Sequence, residues 1–253
     1  MLEQYLRDRR KKKDILLMTH IVIGYPSLDA SYETVRTMVA AGVDLMELQI
    51  PFSEPIADGP VILRANQEAL AAGTTVETCM DFGGRVAAEF NIPFLFMTYY
   101  NILFQYGVPR FARSAAERGL SGAIVPDLPP EEGGDYLEAM AANDLAPIFI
   151  YAPTTDSQRM GMIAGHARGL VYCVARKGVT GDKTDFSNSL QTYLDRCRVA
   201  VDLPLAVGFG VKDKADVDFL TGKADIAVIG TQTIRILEAY GVAAVGDFIR
   251  GVR

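Results

Sequence analysis

A short apolar run followed by a stretch of helical periodicity recurs about every 25–35 residues along this chain, and no other feature limits its fold as much. The apolar runs fall at 15–23, 45–50, 93–99, 122–125, 146–151, 170–175, 204–209 and 226–229. Between them, 31–41, 76–90, 109–118, 131–142 and 187–199 carry apolar residues at the spacing of one helix face. Gly42, Gly73, Gly119 and Gly222 stand where those helices should stop. Most runs are apolar nearly throughout, as expected of parallel strands covered on both faces. Eight such units predict an α/β fold, a single-domain (β/α)8 barrel over 1–253, with a doubly wound open sheet as the competing arrangement. No low-complexity stretch or linker divides the chain.

Composition narrows the partners. A net charge of −6 and a pI near 5.0 argue against a nucleic-acid partner, which would select a basic face. The one basic run, Arg7 to Lys13, precedes no signal-like apolar segment and reads as the solvated face of a first helix. No stretch has the ~18 consecutive apolar residues of a membrane span. Cys79, Cys173 and Cys197 offer neither a metal spacing nor a disulfide framework, which points to a reducing, cytoplasmic setting.

In a barrel the chemistry sits at the C-terminal strand ends, so the polar residues there are the candidates. In the run 45–50, alternation places Met46, Leu48 and Ile50 on one face and Leu45, Glu47 and Gln49 on the other. The apolar set suits the helix layer, leaving Glu47 inside the barrel near its active end. A buried carboxylate is costly, so it is either an acid/base group or the partner of an arginine or hydroxyl. Asp58 follows in a loop framed by Pro51, Pro55 and Pro60, where helix capping and catalysis are equally good readings. Glycine-rich turns follow the last three strands at 176–181, 207–210 and 230–231. Barrels often hold phosphate between the last two of these, with backbone N–H groups and a helix N-terminus aimed at the anion.

Several mechanisms drop out. None of the eight lysines lies in a barrel strand, which disfavours a Schiff-base aldolase. His20 and His166 are the only histidines, too few and too far apart in sequence for a histidine-rich metal site. No nucleophile-elbow motif is present. Carbon–carbon chemistry by general acid/base carboxylates on a phosphorylated substrate remains.

The stretches MELQIPFSEPIADGP (46–60), FMTYYNILFQYG (96–107), VPDLPPEE (125–132), APIFIYAPTT (146–155), VARKGVTG (174–181) and VGFG (207–210) are similar, in order and over nearly the whole chain, to the tryptophan synthase alpha chain family. That resemblance implies a cofactor-free retro-aldol cleavage of indole-3-glycerol phosphate to indole and glyceraldehyde 3-phosphate. It implies that Glu47 moves protons and that Asp58 receives the indole N–H. It places substrate contacts at Tyr172, Thr180, Gly181, Gly210, Gly230 and Thr231, and a lid at 178–184. It also implies a tryptophan synthase beta chain as partner in an α2β2 complex, with no nucleic acid and no membrane.

The chain departs from the family pattern at several positions. Gln49 stands for a usual Gly, Glu54 for Asp, Leu63 for Gln and Ile102 for Pro. Tyr25 stands for Asp, Ala175 for Ser and Thr231 for Ser. The carboxylate pair is intact. Glu54, Leu63 and Ile102 lie near the usual beta-chain contact, which keeps two alternatives open: a stand-alone lyase releasing indole, and a catalytically weak paralogue acting as an allosteric partner.

Overall fold

The computed structural model describes residues 2–56, 58–175, 188–208 and 210–253. Eight parallel strands close into a barrel in chain order: β1 (Leu16–Val22), β2 (Leu45–Gln49), β3 (Phe94–Met97), β4 (Gly122–Ile124), β5 (Ala146–Tyr151), β6 (Val171–Val174), β7 (Leu205–Gly208) and β8 (Ile226–Ile229). β8 pairs back onto β1, Leu16 opposite Ile226, so the competing open sheet is excluded. α1 (Leu2–Arg10) precedes the barrel and α2 (Leu28–Ala40) follows β1. The β2–β3 connection holds α3 (Pro60–Ala71) and α4 (Val76–Glu89); the next holds α5 (Tyr100–Tyr106) and α6 (Val108–Glu117). Then come α7 (Gly134–Ala142), α8 (Ser157–His166), α9 (Asn188–Ala200), α10 (Lys214–Leu220) and α11 (Thr231–Gly251), the last broken at Gly241. Ser27, Thr75, Asp156 and Asp213 cap α2, α4, α8 and α10 by accepting a backbone N–H in the first turn. The predicted stops at Gly42, Gly73, Gly119 and Gly222 all take positive φ.

The strand alternation divides the core in two. Met46, Leu48, Phe94, Phe96, Val171 and Val207 face outward and pack under the helices. Leu16, Met18, Leu45, Leu95, Ile148, Tyr172, Ala206 and Val228 face inward and fill the barrel. Leu2 and Leu6 of α1 join the inner set and plug its N-terminal mouth. All three cysteines are buried and free. Among the described residues no helix is long and apolar enough to cross a membrane.

The basic run is not a plain solvated face, contrary to the sequence expectation. Arg9 and Lys13 reach the fully buried Asp44 at 2.8 and 2.5 Å, and Asp44 also accepts the Leu17 N–H. Arg7 pairs with Asp202 at 2.8 Å and Arg10 with Asp225 at 3.4 Å. Arg7 also pairs within α1, with Glu3 at 2.8 Å, and Lys11 pairs with Asp8 and stays exposed. The run is basic because the N-terminal rim of the barrel presents carboxylates.

Candidate active site

The β1–β2 register sets His20 opposite Glu47 and Val22 opposite Gln49, with all four side chains on the interior face near the C-terminal strand ends. Glu47 is buried, 5 % exposed, as alternation predicted. Its Oε1 lies 3.2 Å from His20 Nδ1. An imidazole thus stands beside Glu47, a partner that neither sequence reading anticipated. Burial alone would depress the pKa of His20, but the Glu47 and Asp58 carboxylates and the Gln49 side chain raise it above its ordinary value.

Asp58 does not cap α3. Gly59 occupies the N-cap with Pro60 starting the helix, and among the described residues no side chain caps it. The Asp58 carboxylate turns instead toward the barrel mouth, where Oδ2 accepts from Gln49 Nε2 at 2.7 Å and from the Tyr99 hydroxyl at 3.2 Å. Burial raises its pKa, against the opposing Gln49 hydrogen bond, the charge of His20 and the Tyr99 hydrogen bond. The loop that carries it is held from beneath. Buried Asn66 of α3 accepts the Phe52 N–H at 2.8 Å, and Phe52 stacks on Tyr99 with ring centroids 5.1 Å apart.

Tyr172 enters the barrel from β6. Burial lifts its pKa well above the ordinary tyrosine value, and the nearby Glu47 and Asp58 charges lift it further. The ring sits where a Cβ on Gly208 would be, 2.2 Å from the hydroxyl and 2.6 Å from Cζ. Gly208 therefore has to be glycine because of Tyr172. The glycine-rich turn after β7 thus owes its first glycine to local packing.

β7 and β8 are adjacent, Ala206 opposite Ile226, so the turns that leave them are neighbours. Gly210 is exposed at positive φ, 116°. Gly230 is the N-cap of α11 and Thr231 its first residue, half-buried. The Thr233 hydroxyl donates to the Gly230 carbonyl at 2.7 Å. Thr180, Gly181 and the expected lid at 178–184 lie outside the described residues.

The structure thus gathers Glu47, Asp58 and Tyr172 at one mouth, with Gly210, Gly230 and Thr231 on the β7–β8 side of the same end. Sequence reading missed His20, Gln49 as a hydrogen-bond donor, and Tyr99. The signal for His20 was available: the alternation that turned Glu47 inward on β2 turns Leu16, Met18 and His20 inward on β1.

Among the departures, Ile102 packs into the outer core, Leu63 is half-buried and Glu54 is exposed. Ile56 and Phe104, which are not departures, are exposed large apolar side chains on the same end. Tyr25 hydrogen-bonds Glu238 of α11 at 2.6 Å, and Arg64 of α3 holds the same carboxylate.

Residues 6–245 match the family model described as tryptophan synthase alpha chain. Over the full length of both chains, this chain is 66% identical to the tryptophan synthase alpha chain of Syntrophotalea carbinolica. It is 62% identical to that of Desulforapulum autotrophicum, again covering 100% of each. A structure of Mycobacterium tuberculosis tryptophan synthase superposes with a TM-score of 0.93 at 29% identity, covering 99% of this chain and 96% of the other. The tryptophan synthase subunit alpha of Legionella pneumophila superposes at 0.90 and 30% identity, with the same coverage.

Proposed function

The chain belongs to the tryptophan synthase alpha chain family, and from that premise we propose that Glu47 and Asp58 perform the lyase reaction of the family. The substrate is indole-3-glycerol phosphate and the products are indole and glyceraldehyde 3-phosphate. The bond that breaks joins indole C3 to the glycerol side chain. Glu47 takes the proton of the glycerol hydroxyl as that carbon becomes an aldehyde, and delivers a proton to C3 of the departing indole. Asp58 accepts the indole N–H and stabilises the positive charge that develops on the ring. Tyr172 lines the pocket between them, and Gly210, Gly230 and Thr231 receive the phosphate at the start of α11. Gly181 would complete that phosphate site, and Thr180 belongs to the expected lid.

The observation that carries this reading is the placement of two carboxylates from different segments at one barrel mouth. Glu47 comes from within β2 and Asp58 from the loop after it, and the latter is held off the helix it could have capped.

The family works with a beta chain. The proposed partner here is a tryptophan synthase beta chain in an α2β2 complex in the cytoplasm, docking on the end that exposes Glu54, Ile56 and Phe104. Indole release from indole-3-glycerol phosphate, measured with and without a saturating beta chain, tests both parts. The expected result is slow release that rises clearly when the beta chain is added. Fast release with no response to a beta chain replaces the subunit by a stand-alone lyase. No release in either condition ends the lyase reading.

A further inference from the structure

His20 and Gln49 are buried beside the two carboxylates, at 3 % and 0 % exposure, and the reaction as written uses neither. Each has one polar atom engaged and one without a hydrogen-bond partner among the described residues. His20 Nδ1 meets Glu47 and its Nε2 has none; Gln49 Nε2 meets Asp58 and its Oε1 has none. The register makes them diagonal neighbours on the interior face, His20 across from Glu47 and Gln49 one inward position further along. Two orphaned polar atoms buried on neighbouring interior residues are costly unless they come to serve each other or the substrate.

Building on the lyase reading, we propose that His20 and Gln49 are positioning residues that join the two carboxylates into one hydrogen-bonded string, Glu47–His20–Gln49–Asp58. Its middle link is His20 Nε2 donating to Gln49 Oε1.

The donor and acceptor order of this string permits one protonation state of the imidazole. The Glu47 carboxylate only accepts, so His20 Nδ1 donates to it. The Asp58 carboxylate also accepts, which sets the Gln49 amide with its nitrogen toward Asp58 and its oxygen toward His20. That oxygen accepts, so His20 Nε2 donates as well. Both ring nitrogens carry hydrogen only in the cation. The string is therefore complete when His20 is protonated and opens when it is neutral. Its surroundings favour the closed form. Among the described residues, the ionisable groups facing His20 are Glu47 on β2 and Asp58 on the following loop, with Tyr172 beyond them on β6. From α11 the Thr233 hydroxyl approaches the His20 carbonyl, and the neighbouring β8 contributes no titratable side chain.

A fixed cation between two buried carboxylates offsets their repulsion and holds both in the geometry the substrate needs. The string also gives Gln49 a purpose: a glycine there could neither orient Asp58 nor complete the link to His20.

Imidazole NMR on the whole chain tests the string without requiring activity. His20 and His166 are the only histidines, and His166→Gln assigns their signals. The expected result is a doubly protonated His20 near neutral pH, with a pKa lowered in Gln49→Met, which removes the acceptor at Nε2. A His20 that is neutral there, or whose titration Gln49→Met leaves unmoved, overturns the proposal. In the indole assay, kcat should fall as pH rises through the His20 pKa. That limb should shift to lower pH in Gln49→Met and vanish in His20→Phe. The latter should lower kcat about 10–100-fold with KM within about twofold of wild type. An unchanged alkaline limb in an active, folded His20→Phe overturns the string while the lyase reading stands. Wild-type chain that releases no indole, with the NMR result as expected, removes the lyase reading and leaves the string intact. The NMR comparison uses wild type and Gln49→Met, so it does not depend on His20→Phe folding.

Discussion

Burial raises the pKa of Asp58 even though Gln49, Tyr99 and the charge of His20 all favour the carboxylate. With the folded pKa above the unfolded one, the native state binds more protons between the two values, and stability falls as pH rises through that window. An ionised Asp58 at neutral pH is thus a net cost to the fold, borne at the site. Asp58→Asn keeps the shape and removes the charge. Its melting temperature should exceed that of wild type at neutral pH, and the gain should disappear below the ordinary aspartate pKa while indole release is lost. A lower melting temperature at neutral pH would show that Asp58 has a structural role. Glu47→Gln separates proton transfer from binding in the same way. It should lower kcat by about 10²–10⁴-fold with little change in KM, read from steady-state indole release. Near wild-type kcat would leave Glu47 a structural residue. The inward placement of Glu47 was legible in the sequence because period-two alternation is local. The identity of its partner was not: His20 lies 27 positions away, and only strand pairing brings the two together.

At the scale of elements, the apolar runs anticipated every strand, and the differences lie at their ends. The run 93–99 contains β3 as Phe94–Met97, since Pro93 has no N–H for the ladder and Tyr99 already turns toward Asp58. The segment 131–142 reads as one helix but folds as a 3-10 turn, Pro130–Glu132, followed by α7. Gly133 breaks it, and the Leu137 N–H returns to the Gly133 carbonyl as the new helix begins. What periodicity could not show is which strands oblige each other to carry small residues. Tyr172 on β6 occupies the space beside Gly208 on β7. Gly208→Ala should push the tyrosine ring out of place, at a cost of about 1–3 kcal/mol in chemical denaturation and with reduced indole release. In a Tyr172→Leu background the same alanine should cost much less, giving a coupling energy in a double-mutant cycle. Additive costs would mean that the two side chains do not collide.

The molecule as a whole has two ends with different work. The C-terminal mouth holds the buried charges of the site. The N-terminal mouth is closed by α1, whose Leu2 and Leu6 plug the barrel while its arginines and Lys13 meet rim carboxylates. Asp44 is the centre of that closure, accepting from Arg9, Lys13 and the Leu17 N–H while its carbonyl receives the Tyr5 hydroxyl. Asp44→Ala removes the acceptor of Arg9, Lys13 and the buried Leu17 N–H, and should destabilise the chain by about 1–3 kcal/mol in denaturant titration. The folded fraction should keep its kcat, because the site is at the opposite end of the strands. A variant with unchanged stability would reduce these ion pairs to surface contacts.

Properties set by neighbours along the chain are written in the chain: the βα repeat, the inward turn of Glu47, the glycine stops, and a family signature dense enough to identify. Closure of the barrel decided the rest. It made the basic run a clamp, because the carboxylates it meets belong to distant loops and strand ends. It chose site over cap for Asp58, since Tyr99, which follows β3, joins Gln49 as its partner only once β2 and β3 pair. It also raised the pKa values of Asp58, His20 and Tyr172, because desolvation and the field of nearby charges exist only where non-local segments exclude water together.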